Sequence, residues 1–310
     1  MCRLTFFLFI FCSLSPLKGF PQQPAKDPIA AVVELDSLVV IAQHQGFNVE
    51  DFLRYIQEDQ SFLKAFQNLR KASFLGEHEM EFDNGREKAA YSCTTIQTMQ
   101  GKCRSMDVLK STDNGNFFRK NGEYRFITAK MYDRVFFTHG LVCDTAHPEK
   151  IKPAKGLEKY YDELKKFIFQ AGEKVDLPFI GGKTAIFSPK IQRYYDYRLK
   201  SGPGPEGRDC YLFQVAIKPQ FELEKDRKTI VKSMETWFER STLQVVQRTY
   251  HVQYQGPGFR FDVRMRIALS QLGGSYYPVI VRYEGEWDIP LHHKENGRFE
   301  ARLTRFSLNP

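Results

Sequence analysis

Residues 259–269 show the clearest alternation of apolar and polar positions in the chain. Every second side chain is apolar, and the residues between them are mostly charged. Such a period of two fits an extended strand, in which successive side chains point to opposite faces. The apolar set is Phe259, Phe261, Val263, Met265, Ile267 and Leu269, and the other set is Arg260, Asp262, Arg264, Arg266 and Ala268. The pattern predicts a β-strand with one apolar and one largely basic face.

The last hundred residues repeat this pattern at the spacing of an antiparallel meander. Short turns separate six apolar-alternating runs. The predicted strands are Tyr211 to Ile217, Thr229 to Phe238, Leu243 to Tyr254, Phe259 to Leu269, Tyr276 to Trp287 and Phe299 to Leu308. An antiparallel sheet of this size needs a cover for its apolar face.

The region 28–75 is predicted to supply helices for that cover. Asp27 followed by Pro28 is typical of a helix start, and Gly46 of a helix end. A second amphipathic run begins near Asn48, with apolar residues at helical spacing as far as Leu69. We therefore expect two helices packed against the sheet.

The middle of the chain mixes strands, one helix and a long loop. Strands are predicted from Glu77 onward, with a hairpin turn at Asn121–Gly122 and another strand from Met131 to Thr138. A helix is expected over 157–169, and the Gly- and Pro-rich segment 176–205 is expected to be a long loop.

Together these elements predict an α+β fold with a curved, mostly antiparallel sheet of the half-barrel type. The N-terminal and central helices should pack on its concave side. Residues 76–310 would form the antiparallel β domain, and 28–75 most simply belongs to the same domain.

The first 19 residues resemble a secretory signal peptide. Arg3 precedes about a dozen mostly apolar residues that end near Gly19, a run too short to cross a bilayer as a helix. Residues 20–27 would be a disordered lead. We expect a periplasmic or secreted protein with no further membrane-spanning segment. The full chain has a net charge of +8, which falls to +6 without Arg3 and Lys18, and for such a basic exported chain anionic envelope components are expected as partners in preference to nucleic acid.

Four cysteines follow the predicted signal peptide, which in an oxidising compartment favours disulfides. Cys93, Cys103, Cys143 and Cys210 allow three pairings. The gap of nine residues between Cys93 and Cys103 suits a local hairpin, so we expect these two to pair.

No motif in the sequence specifies a reaction. His139, Cys143 and His147 have the spacing of metal ligands on a helix, but Gly140 and Pro148 oppose a helix there. Gly181 to Thr184 resembles only the tail of a phosphate-binding loop. The alternating acids Glu284, Glu286 and Asp288 fit an exposed strand face, and His292 and His293 a turn. We predict no catalytic residues, no metal site and no cofactor.

The two faces of the central strand give two candidate binding surfaces. The apolar face could line a ligand cavity through Phe259, Phe261, Val263, Met265 and Ile267, although the same side chains could simply form a filled core. The basic face could hold an anionic partner through Arg260, Arg264 and Arg266, together with Arg248 and Arg282 on neighbouring strands.

The segment Thr236 to Val246, within residues 211–308, resembles the strand-turn-strand of periplasmic lipoprotein carriers and related sensor domains. This resemblance implies a half-barrel that wraps around helices and leaves an apolar cavity for acyl chains. The chain differs from the carriers in its length, around 93–103 and in the segment 176–205. The whole chain is also similar to a group of uncharacterised exported proteins of the Bacteroidota.

Three functions fit these observations. The first is a non-catalytic protein that binds a lipid or a lipidated protein in the hollow of the sheet. The second is an envelope scaffold that binds an acidic partner through its arginine face. The third is a hydrolase of cell-wall material, which would need catalytic groups that only the fold could bring together.

Overall fold

The computed structural model of the protein describes residues 32–35, 38–41, 49–144, 174, 180–222, 228–256, 259–288 and 294–308. The predicted signal peptide, the disordered lead and the helix expected over 157–169 lie outside these residues. So do His147, His292 and His293.

Thirteen strands form one sheet among the described residues. They are β1 (Val32–Leu35), β2 (Leu38–Ile41), β3 (Ser73–Asp83), β4 (Lys88–Gln100), β5 (Cys103–Asn114), β6 (Val142–Cys143), β7 (Tyr195–Pro203), β8 (Asp209–Ile217), β9 (Val231–Glu239), β10 (Val245–Gly256), β11 (Phe259–Leu272), β12 (Ser275–Asp288) and β13 (Glu295–Ser307). The α-helices are α1 (Val49–Glu58), α2 (Ser61–Asn68), α3 (Ile127–Phe136), α4 (Pro189–Gln192) and α5 (Pro219–Glu222).

The strand order is β1-β2-β7-β8-β9-β10-β11-β12-β13-β3-β4-β5-β6. All neighbours pair antiparallel except β2 and β7, which are parallel. The sheet is open, since β1 and β6 lie at its two ends. The predicted class, an α+β protein with a curved and mostly antiparallel sheet, is confirmed, and so are the six strands β8 to β13.

The core lies between one face of the sheet and the helices α2 and α3. Along β11 the apolar positions are buried while the charged positions between them are not, as the period of two predicts. Fully or almost fully buried side chains from several elements meet there: Phe62 and Ala65 of α2, Ala129 and Tyr132 of α3, Ile267 of β11, Val281 of β12, and Ala301 and Leu303 of β13. The helix-covered face of the sheet is therefore its apolar face.

The described residues of the segment 28–46 do not form the predicted helix. They form β1 and β2, and the backbone of β2 pairs with Tyr197 to Leu199 of β7. Val32, Val33, Val39 and Val40 explain the difference, because β-branched residues favour extended backbone over helix. The second prediction for this region is confirmed by α1 and α2.

The predicted strand from Met131 to Thr138 is wrong, because α3 occupies most of it. The buried residues of α3 are Thr128, Ala129, Tyr132 and Phe136, whose spacing follows the turn of a helix. Part of the expected loop 176–205 is also regular, since it contains α4 and β7.

The predicted disulfide between Cys93 and Cys103 is wrong. Cys103 pairs with Cys143, and Cys93 and Cys210 are buried free thiols. Cys103 begins β5 directly opposite Cys143 in the short strand β6. Cys93 lies seven residues before the end of β4, which places it about 23 Å along the strand from that end.

Candidate ligand-binding site

A small apolar cavity lies beneath α2 and α3, between the helices and the sheet. Its volume is about 50 Å³, room for only a few water-sized groups. The lining is almost entirely apolar: Phe66 of α2; Thr128, Met131, Tyr132, Val135 and Phe136 of α3; and Met265, Ile267, Val281, Tyr283 and Phe299 of the sheet. Met131 and Val135 are only half-buried, so α3 forms both the roof of the cavity and its outer rim.

Glu295 of β13 fixes the start of α3. Its two carboxylate oxygens accept hydrogen bonds from the backbone N–H groups of Ile127 and Thr128, at 2.8 and 2.9 Å. These amides belong to the first turn, where a helix has no carbonyl partners for them and favours negative charge. Glu295 is buried, so this contact attaches α3 firmly to the sheet.

A second polar contact holds the middle of α3. The Tyr132 hydroxyl lies 2.5 Å from Nδ1 of His78, and the other ring nitrogen lies 2.9 Å from Oγ1 of Thr95. Burial lowers the pKa of His78 to about 4. The imidazole is therefore neutral near pH 7, with one nitrogen donating and the other accepting.

Aromatic side chains make further contacts between α3 and the rest of the core. Tyr132 packs edge-on against Phe299 with ring centroids 4.6 Å apart, and Phe136 meets Phe66 of α2 at 6.4 Å. The two helices thus meet above the cavity through one aromatic pair.

The predicted ligand-binding residues divide into two groups. Met265 and Ile267 line the cavity. Phe261 and Val263 are buried on the same face but farther along β11, where Phe261 packs against Trp287 at 5.2 Å. The side chain of Phe259 lies outside the described residues.

The opposite face of the sheet carries ordered rows of charge. In one row Arg264, Glu284, Arg298 and Glu81 stand directly opposite one another on β11, β12, β13 and β3. Arg298 bonds Glu81 at 2.6 Å, and Arg282 bonds Glu300 at 2.8 Å. Opposite charges at neighbouring positions stabilise such a face modestly.

Two grooves of about 720 and 470 Å³ cross this face. Five cationic and seven anionic side chains line them. They are Lys88, Arg264, Arg266, Arg282 and Arg298, and Glu79, Glu81, Asp83, Asp262, Glu284, Glu286 and Glu300. The grooves are therefore mixed in charge rather than basic.

Four of the five predicted arginines lie on this face. The prediction for the fifth, Arg248, is wrong. Arg248 stands opposite Ile267 in the pairing of β10 with β11, so its side chain lies on the helix-covered face. It is 4 % exposed. Arg248 is separated by even numbers of residues from Tyr250, Val252 and Tyr254, which places all four on the same face of the strand. The sequence therefore contained the signal, but it was overlooked.

One catalytic-looking set appears on the charged face. His251 bonds Asp262 at 2.8 Å, and Ser233 stands opposite His251 in the register of β9 and β10. Within the described part of the chain no hydrogen bond joins Ser233 to His251, so the hydroxyl is not activated in this arrangement.

Cys143 and His139, which have the spacing of metal ligands in the sequence, make other contacts in the structure. Cys143 is in the disulfide, and His139 bonds both oxygens of Asp133 at 2.9 Å. Gly181 to Thr184 forms a 3₁₀ turn. Among the described residues there is no cluster of three or more metal-binding side chains.

Sequence reasoning missed the residues of α3 that roof the cavity, because that segment was predicted to be a strand. The helical spacing of Thr128, Tyr132 and Phe136 was the available signal. It also missed Glu295, whose role depends on an element 167 residues away.

No protein-family model and no curated protein matches this sequence. Solved structures with a similar fold include a DUF1329 family protein from Desulfovibrio piger, at 10% identity and a TM-score of 0.24, with 81% of this chain and 94% of that chain covered. A putative outer membrane lipoprotein-sorting protein domain from Vibrio parahaemolyticus has 8% identity and a TM-score of 0.28, with 82% and 93% covered. A lipovitellin structure has 7% identity and a TM-score of 0.28, with 77% of this chain and 26% of that chain covered.

The similarity to proteins of the Bacteroidota stays a prediction. Within the described residues, no helix has the length and apolar character needed to cross a membrane.

Proposed function

We propose that this is an exported, non-catalytic protein that binds a lipid or another amphiphile by its apolar chain, between the sheet and the helices α2 and α3. The observation that carries the proposal is the apolar cavity roofed by α3. Apolar lining with few polar groups is typical of sites for apolar ligands.

Binding requires α3 to move, because the cavity of about 50 Å³ cannot hold an alkyl chain. The contacts that must yield include the Glu295 bonds, the Tyr132–His78 bond and the aromatic contacts with Phe299, Phe66 and His78. Each hydrogen bond contributes about 1 kcal/mol net, and the burial of Tyr132 and Phe136 contributes more, so the alkyl chain must take over the apolar contacts that these side chains give up.

Calorimetric titration with 1-dodecanol tests the proposal. We expect the wild-type protein to bind this neutral chain, and Val281→Leu to weaken binding about fourfold, because the added methylene takes up cavity space. Val281 lines the cavity.

Val252→Leu is the matched control. Val252 is also buried on the helix-covered face but does not line the cavity, so its variant should bind as the wild type does. No binding of dodecanol and none of its acidic analogue laurate, or equal weakening by both variants, would overturn the proposal.

A second candidate function is an envelope scaffold that binds a partner at the charged face. The two grooves favour it, and their mixed lining fits a partner that carries both signs of charge better than a purely acidic one.

Phosphatidylglycerol vesicles and their salt dependence test the acidic-partner version. Reversal of Arg264 and Arg266 to Glu should abolish binding if this face is responsible, whereas Arg119→Glu in the hairpin before α3 should not. Unchanged binding by the double variant would exclude this face.

A further inference from the structure

Arg248 is a buried cation beside the apolar cavity. Its Cβ neighbour across the sheet is Ile267, which lines the cavity. Directly opposite side chains on one sheet face lie about 5 Å apart at their Cβ atoms. The guanidinium carbon lies 4.4 Å from the ring centroid of Phe62, one helical turn before Phe66 in α2. Arg248 is thus next to the place where an apolar chain would lie.

The guanidinium of Arg248 is incompletely satisfied. Nε donates to Oγ1 of Thr236 at 3.2 Å, and the face of the group packs on Phe62. One terminal nitrogen, NH1, is buried and has no hydrogen-bond partner. A buried polar group without a partner costs about 1–3 kcal/mol, and more when the group is charged. This arrangement favours a ligand that supplies an acceptor, and an anionic acceptor most of all.

Asp59 is the nearby counter-charge, and it too is incompletely satisfied. Burial lowers the pKa of Arg248 to about 10, and the charge of Asp59 acts against this shift. Arg248 therefore remains charged at neutral pH. Oδ1 of Asp59 accepts the backbone N–H of Ser61, while Oδ2 is buried without a partner. The two charges attract each other but do not complete each other's hydrogen bonds.

We propose that Arg248 binds the oxyanion head group of the amphiphile, a carboxylate or a phosphate, while its alkyl chain occupies the widened cavity. This inference rests on the proposed function and adds the chemical class of the ligand. An alkyl chain that enters under α3 lies against Met265 and Ile267, and the Cβ of Arg248 on the next strand is about 5 Å from that of Ile267. Arg248 does not itself line the cavity, so its guanidinium, which bonds Thr236 on β9, must turn toward the head group.

Calorimetric titration compares laurate, dodecyl phosphate and 1-dodecanol, which each contain twelve carbons in an unbranched chain and carry different head groups. Because a hydrogen bond to a charged group contributes about 1.5–3 kcal/mol, we expect an oxyanion ligand to bind roughly tenfold or more tightly than dodecanol. The comparison of laurate with dodecyl phosphate shows which oxyanion fits. Equal binding of all three would overturn the proposal.

Arg248→Gln should remove this preference, so that laurate and dodecanol bind with similar affinity. Arg266→Gln, one strand away on the opposite face, is the matched control and should keep the preference, because its guanidinium bonds Gln247 outside the core. A preference that survives Arg248→Gln would overturn the proposal. Arg248→Lys keeps the charge but loses the planar fork, so an intermediate preference is expected.

Asp59→Asn distinguishes ligand binding from a structural pair. If Asp59 competes with the ligand for Arg248, its neutral variant should bind laurate several-fold more tightly. If Arg248 only pairs with Asp59 through water, the variant lowers stability and leaves laurate affinity unchanged, which would overturn the proposal even where Arg248 variants fail to fold.

The outcomes separate the two proposals. Binding of dodecanol without any preference for an oxyanion supports the apolar site and excludes the role of Arg248. Absence of binding by all three ligands overturns both.

Discussion

Tyr132 connects the polar and the apolar sides of α3. Its ring lines the cavity, and its hydroxyl bonds buried His78. This bond is part of a pair in which a neutral imidazole donates from one ring nitrogen and accepts at the other. The protonation state of a single side chain therefore affects how firmly the roof of the cavity is attached.

We expect stability to decrease in acid because of His78. The folded pKa of about 4 lies below the ordinary value of 6.5. Above pH 6.5 His78 is neutral in both states; between pH 6.5 and 4 the unfolded state binds the proton preferentially and stability is lost as the pH falls. The loss should reach about 3 kcal/mol in urea unfolding.

His78→Gln should flatten this part of the pH profile, whereas His139→Gln, at an exposed histidine, should leave it unchanged. An identical slope in the His78 variant would show that other groups cause the acid sensitivity.

At the scale of elements, α3 depends on a cap supplied by another part of the chain. We expect Glu295→Ala to lower the free energy of unfolding by about 2 kcal/mol, because two N–H groups of the first turn lose their partner and the helix dipole loses a buried negative charge. Urea unfolding measures this loss. Glu284→Ala on the exposed face should cost far less, and equal losses would contradict the capping role.

The disulfide constrains the segment that contains β5 and α3. Cys103 and Cys143 are 40 residues apart, so the cross-link should contribute about 4 kcal/mol. Reductant should lower the melting temperature of the wild type and of Cys93→Ala, but not that of the Cys103→Ser, Cys143→Ser double variant. Loss of the response in Cys93→Ala would instead indicate that Cys93 takes part in the pairing.

Strand periodicity predicted β8 to β13 well, because each strand there buries one face only. The same rule was misleading at Met131 to Thr138, where Tyr132 and Phe136 had to be counted at helical spacing. The disulfide required the register of β5 against β6, which local sequence does not encode. Arg248 occupies a position of β10 that, by the alternation of the strand, faces the helices. Its charge led to the wrong prediction that it lies on the basic face.

The helices and the sheet differ in how they are held in the whole molecule. β11 and β12 each pair on both edges, whereas α3 is attached by a few side chains. We therefore expect amide hydrogens of α3 to exchange faster than those of β11 and β12, and dodecanol to slow them selectively. Exchange of α3 as slow as that of β11 would argue against an opening roof.

β13 joins two halves of the sheet that are far apart in the chain, β12 on one side and β3 on the other. Met80 stands opposite Phe299, so this seam closes a loop of more than two hundred residues. During synthesis the hairpins β3 to β5 emerge early but can dock only when β13 arrives. The pairing of β3 with β13 therefore cannot form until almost all of these strands have left the ribosome. The unpaired strand edges stay exposed for longer, which prolongs the time in which chaperones are needed.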